Sequence, residues 1–181
     1  MLVHGKEQIW QHSLAVEKTA EEIARQYQLD AAACRNAALC HDLGGILPAK
    51  EMLAQAFALG WYVDPAEEKY PFLLHQRFSA KICEETLRYT DERILSAVCC
   101  HTTLKAAPTS YDMALFIADK LAWDQEGLPP YDLPVRKALE SSLEEACLVQ
   151  IEYTLEHEMI LMPHRWLKDA LQWLRHANGH L

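Results

Sequence analysis

His41 and Asp42 stand side by side at the end of the apolar run Ala37-Ala38-Leu39-Cys40 and are followed by Leu43-Gly44-Gly45. Neighbours on a helix project roughly 100° apart, so an adjacent pair reaches one point only at a helix end or a distorted turn. The glycine pair supplies such an end. A nitrogen and a carboxylate in apolar surroundings are costly to bury unless a positive charge lies between them. A divalent cation meets that need, because imidazole and carboxylate both ligate it. A His-Asp dipeptide alone is common, and its simpler explanation is a core histidine satisfied by a backbone partner. The rest of the chain must supply further ligands.

Four more positions qualify. His12 lies between Ile9 and Val16 at helical spacing, and His75 precedes Phe78, Ser79 and Ile82. His101 follows Ile94, Ala97 and Val98, and Asp119 falls between Leu115 and Ala122. Each polar group therefore shares a face with apolar residues and points towards a core. Separately, each would need its own buried partner; together, a shared metal centre satisfies all of them. His4, His157, His164, His176 and His180 gather near the termini and late helices and are expected at the surface.

The elements that must position these residues are helices. Ile9, Val16, Ala20, Ile23 and Tyr27 recur at helical spacing from Lys6 to Gln28. Asp30 caps a second helix running to His41-Asp42, and Pro48 opens a third that Gly60 stops. Asp64-Pro65 opens a brief helical turn; helices follow over 72–88, from Asp91 to about His101, and from Ser110 to Trp123. The segment 124–134 is irregular, with Gly127 and three prolines. Pro134 then starts a long helix to about Glu158, and Pro163 the last one. No strand-like alternation or internal repeat occurs, so the expectation is one all-α domain, a bundle of about eight helices covering 1–181.

The chain of 181 residues is long enough for one core. Its 17 Lys and Arg against 26 Asp and Glu give a net charge of -9, which argues against nucleic acid and anionic membranes as partners. A phosphate-bearing substrate would then need metal ions or a few basic residues. The six cysteines show no CxxC spacing and read as buried apolar residues in a reducing, cytoplasmic setting. No signal-peptide pattern and no membrane-length apolar run appears. Apolar positions on the helix after Pro134 suit a homodimer contact or the core.

The order His12, His41-Asp42, His75, His101, Asp119 resembles the HD superfamily of metal-dependent phosphohydrolases. Leu73-Leu74-His75, His101-Thr102-Thr103 and Phe116-Ile117-Ala118-Asp119-Lys120 look like its YqeK-like branch, which hydrolyses diadenosine tetraphosphate symmetrically to two ADP. The resemblance spans roughly residues 6–175. It implies a cytoplasmic HD-type bundle in which His12, His41, Asp42 and Asp119 bind one metal, and His75, His101 and the second oxygen of Asp42 bind another. Water activated between the ions attacks phosphorus, with Asp42, His75 and His101 closest to the chemistry. Family precedent favours iron; manganese, zinc or nickel suit the same ligands.

Basic and hydroxyl groups near the motifs are candidate nucleotide contacts: Arg77, Thr102, Thr103, Lys105 and Lys120, with Lys81 nearby. Trp61, Tyr62 and Trp123 fit either core anchoring or base stacking. Three departures bear on the substrate. Gly45 stands where the family commonly has lysine, Gln76 where it often has glycine, and Leu121-Ala122-Trp123-Asp124-Gln125-Glu126 where an Ile-Glu-Pro run and an arginine are usual. The chain also lacks the Glu-Asp pair of guanosine polyphosphate hydrolases and the Gly-Tyr-Pro extension of cyclic-di-GMP phosphodiesterases. The alternatives are a nucleotidase or phosphatase acting on a mononucleotide or small phosphate ester, a non-catalytic metal-binding module, and a purely structural helical protein.

Overall fold

Capping and apolar spacing set the first two helices. The computed structural model describes residues 7–123 and 125–179, so His4, His180 and Asp124 lie outside the described residues. Helix α1 (Glu7–Gln26) buries Val16, Ala20 and Ile23 on one face. The Asp30 carboxylate accepts from the amides of Ala32 and Ala33 and so starts α2 (Ala31–Cys40). Buried alanines on α2 let the two helices approach closely, and α1 packs most extensively against α2. After a 3-10 turn over Leu43–Ile46, Pro48 caps α3 (Ala49–Ala58). Gly60, with φ +69°, takes the left-handed conformation that ends it.

The Asp64–Glu67 capping box opens α4 (Pro65–Lys69). A 3-10 turn over Pro71–Leu74 leads into α5 (His75–Glu85). Asp91 caps α6 (Glu92–Cys100), and α7 (Ser110–Leu121) follows. The cap of α7 is Thr109, in a reciprocal box with Asp112, one residue earlier than the expected Ser110. The chain closes with α8 (Asp132–Ala138), α9 (Leu143–Glu156) and α10 (Arg165–Ala177).

The described residues form ten α-helices and no strand, where about eight helices were expected. One addition is α4, expected only as a turn. The other comes from the long helix after Pro134, which is two helices. Pro134 sits in the first turn of α8, where a missing N–H costs nothing. The helix then ends, the Leu139 carbonyl accepts from Gln26 and Tyr27 of α1, and the Ser142 hydroxyl caps α9 by accepting from Glu145 N. The apolar periodicity runs through both helices and hides the break.

The main core draws on α1, α2, α6, α7, α9 and α10, with Phe116, Ile117, Ile151 and Leu174 fully buried at its centre. A smaller cluster of Met52, Ala56, Val63, Leu74 and Phe78 lies under α3 and the start of α5. Five of the six free cysteines are buried, as expected. No described helix is long and apolar enough to cross a membrane. His157 and His176 are exposed as expected, but His164 is 5% exposed. It caps α10, its Nδ1 accepting from Trp166 N, and this end of the helix is covered by the Asp64–Glu67 turn.

Candidate metal centre

His41, His75 and His101 sit at helix ends: His41 follows α2, His75 opens α5 and His101 follows α6. In each, Nδ1 lies close to the carbonyl three residues earlier: Ala38 at 2.6 Å, Phe72 at 2.6 Å and Val98 at 2.8 Å. A carbonyl only accepts, so Nδ1 carries the proton and Nε2 is left with a lone pair. The backbone thus sets the tautomer of all three imidazoles and aims the three Nε2 atoms inward, the usual preparation of a metal-ligating histidine.

Asp42 is brought to them by the turn after α2. A Cβ at Gly44 would stand 2.3 Å from the His75 carbonyl and 2.9 Å from Ser79 N, so only glycine permits this approach to α5. Gly44 N donates to Ser79 Oγ at 2.8 Å and fixes the contact. The two oxygens of Asp42 then face different partners. Oδ1 lies 3.1 Å from His75 Nε2 and 3.6 Å from His101 Nε2, whereas Oδ2 lies 3.6 Å from His41 Nε2. Asp119, delivered by α7, places Oδ1 3.0 Å from His12 Nε2 and 3.5 Å from His41 Nε2, and Lys120 Nζ donates to its Oδ2.

The six residues expected to meet do meet. Five of them form two metal-competent groups, His12–His41–Asp42 and Asp42–His75–His101, joined through Asp42, and Asp119 adjoins the first through His12 and His41. Two features fit a cation. His41 Nε2 is buried without a hydrogen-bond partner. His75 Nε2 and His101 Nε2 lie 2.9 Å apart, and with both Nδ1 atoms protonated two lone pairs would face each other. A positive ion relieves both costs.

The electrostatics agree. Burial would raise the Asp42 carboxyl, but the imidazoles of His101, His75 and His41 around it hold it well below the usual carboxylate range. Asp119 behaves alike: burial opposes, while Lys120, His12 and His41 keep it ionised. His41 is shifted up, its burial outweighed by Asp119 and Asp42. Burial, opposed by Asp42 and reinforced by His41 and His75, pushes His101 down to about 4, leaving a neutral lone-pair donor at neutral pH.

The expected substrate contacts divide. Thr102 Oγ1 lies 3.3 Å from His75 Nε2, and Lys120 sits on Asp119, so both border the centre. Arg77, by contrast, donates to the Tyr62 carbonyl and to Glu67, and packs over Trp61 in a separate pocket. Lys105 is bound to Ser96 and Asp112, Lys81 pairs with Glu85, and Thr103 is buried against Gln76. Sequence spacing placed these side chains near the motifs; the buried acids Glu67 and Asp112 on other helices claim Arg77 and Lys105, while Lys81 and Thr103 are taken by Glu85 and Gln76. Gln76 and Ser79, which brace the centre from α5, were missed as site residues. Their positions one and four residues after His75 were the available signal.

A helical bundle that gathers histidines and aspartates from five helices or helix ends around one shared carboxylate is the architecture of a metal-dependent phosphohydrolase. The HD domain model matches residues 9–124, and the chain belongs to that family, whose members bind divalent metals. The chain is 35% identical over 134 residues to an uncharacterized protein in the pepC 5' region of Lactococcus lactis subsp. cremoris, covering 74% of this chain and 68% of that one. It is 28% identical over 144 residues to the symmetrical bis(5'-nucleosyl)-tetraphosphatase of Bacillus subtilis, covering 80% and 76%. A crystal structure of a predicted HD superfamily hydrolase involved in NAD metabolism, from Clostridium acetobutylicum, superposes with a TM-score of 0.83 at 24% identity, over 93% of this chain and 89% of that one; this likeness shows the fold.

Proposed function

We propose that the centre holds two ions and that the chain hydrolyses a dinucleoside polyphosphate, diadenosine tetraphosphate being the expected substrate and ADP the product. The observation that carries this is Asp42, whose two oxygens face two different histidine groups. His12, His41, Asp119 and Asp42 Oδ2 would hold one ion; His75, His101 and Asp42 Oδ1 the other. Bound there, the pair supplies Lewis-acid charge that lowers the pKa of water and offsets charge on phosphoryl oxygens. Iron is favoured by the family resemblance, and manganese, zinc or nickel fit the same donors.

The protein's own part is preorganisation. Backbone carbonyls hold three imidazoles in one tautomer, and the burial of His41 and His101 keeps bulk water from one side of the centre. Thr102 Oγ1 is placed to donate to a phosphoryl oxygen, and Lys120 adds positive charge beside Asp119. The name of the Bacillus subtilis relative supports the tetraphosphate reading.

Gly45 in place of a cation favours a second reading, a phosphatase acting on a mononucleotide or small phosphate ester. A nucleotide panel separates the two: ADP as sole product from diadenosine tetraphosphate supports the first, and phosphate release from mononucleotides alone supports the second. Asp42→Ala should abolish metal binding and hydrolysis, measured by elemental analysis and product release, while far-UV circular dichroism retains the helical signal. Near wild-type activity in that variant would defeat the mechanism.

A further inference from the structure

A cleft of about 800 Å³ opens beside the centre, with His12 and Asp42 in its wall. The rest of its wall is mixed: Ile9, Phe72, Ala122 and Trp123 give apolar and aromatic surface beside the polar Glu7, Gln8 and Gln11. Among the described residues that line it there is no lysine or arginine, and Glu7 is one of them. A further anionic group would find no counter-charge among these described residues, whereas a flat, uncharged group would find aromatic faces.

Phe72 is placed for such a contact. It is 49% exposed, although its ring stacks on that of His75 with centroids 4.5 Å apart and planes at 18°. Its carbonyl holds His75 Nδ1, so the ring is anchored to the centre rather than loosely hung. Gly45 shapes the same wall. A Cβ there would stand 3.2 Å from Ile9 Cδ1, closer than such contacts usually are, and 3.8 Å from Phe72 Cζ, so the bare backbone makes room for Ile9 beside Phe72. Trp123 lines the cleft and also the adjoining pocket that contains Asp119 and Lys120. A ring resting at Trp123 therefore leads directly to the lysine and the metal ligands. The amides of Gln8 and Gln11 line the cleft too, and can pair with donors and acceptors on the edge of a base.

We infer that Phe72 and Trp123 form a nucleobase subsite: the cleft receives the base of the substrate while its phosphates lie at the ions and Lys120. The inference rests on the phosphohydrolase reading and adds where the uncharged part of the substrate is read.

The test compares ADP with inorganic pyrophosphate, which carries the same diphosphate without nucleoside, binding to metal-loaded full-length protein by calorimetry. Wild type should favour ADP by about tenfold or more, the range expected of base stacking on an aromatic ring. Phe72→Leu and Trp123→Leu should each reduce that preference by about tenfold, and Phe72→Tyr, which keeps the ring, should restore it. Equal loss of both ligands in Phe72→Leu would mean the ring acts only by supporting His75, and overturns the subsite. So does an ADP preference that survives both leucine variants. Wild-type protein that binds pyrophosphate without favouring ADP also overturns the subsite while leaving the phosphohydrolase reading intact. Wild-type protein that binds neither ligand overturns that reading, and the subsite with it.

Discussion

Gln76 shows how closely the centre is braced by single residues. It follows His75, is fully buried, and spends its amide on the turn after His101: its Oε1 accepts from Thr102 N at 3.1 Å and its Nε2 donates to Thr103 Oγ1 at 3.1 Å. One side chain thus ties together the two histidines of the second group. Gln76→Leu keeps the volume but leaves buried polar groups on that turn without partners, at about 1–3 kcal/mol each. Metal affinity of the His75–His101 group should fall, while the His12–His41 group keeps its ion. Metal titration of dialysed protein reads this directly, and two-ion binding as tight as in wild type would count against the bracing role.

At the scale of elements, helix starts were far more legible than helix continuity. Asp30, Asp64 and Asp91 all lie at the caps their chemistry suggests, because capping is a local hydrogen bond between a side chain and the next few amides. The division of α8 from α9 was not legible, since it depends on Gln26 and Tyr27 taking the Leu139 carbonyl across 113 and 112 residues of sequence. The Ser142 cap is what starts α9 afresh. Ser142→Ala should therefore destabilise the fold by about 1 kcal/mol. Denaturant unfolding of the variant would measure it, and an unchanged midpoint would show that packing of α9 alone sets the boundary.

At the scale of the molecule, the centre is a junction. Its candidate ligands come from α1, the ends of α2 and α6, the start of α5, and α7, so a filled centre would add a tie among five packed elements. No disulfide joins the described cysteines, so helix packing, long-range hydrogen bonds and any such ion hold these elements together. Removing the metal with a chelator at neutral pH should lower Tm while far-UV ellipticity at 25 °C stays near its starting value. A ligand at a hundred times its Kd stabilises by about 2.7 kcal/mol, which for a chain of this size is a fall on the order of 5–10 °C. A thermal scan with and without chelator decides the matter, and identical Tm values would mean the helices hold without help.

The sequence by itself determined the helical class, most of the caps and the order of six candidate ligands, because apolar period and capping chemistry are short-range and each candidate shares a helix face with its own apolar neighbours. It did not determine which side chains would be diverted. Arg77 and Lys105 look available along the chain, and in the fold they are taken by Glu67 and Asp112; His164 looks exposed and is covered by the Asp64–Glu67 turn. Only the tertiary structure decided that His12 and Asp119, 107 residues apart, meet at 3.0 Å, and that the oxygens of Asp42 divide between two groups. The physical reason is that periodicity reports which face of a helix is buried, whereas contacts depend on what covers that face.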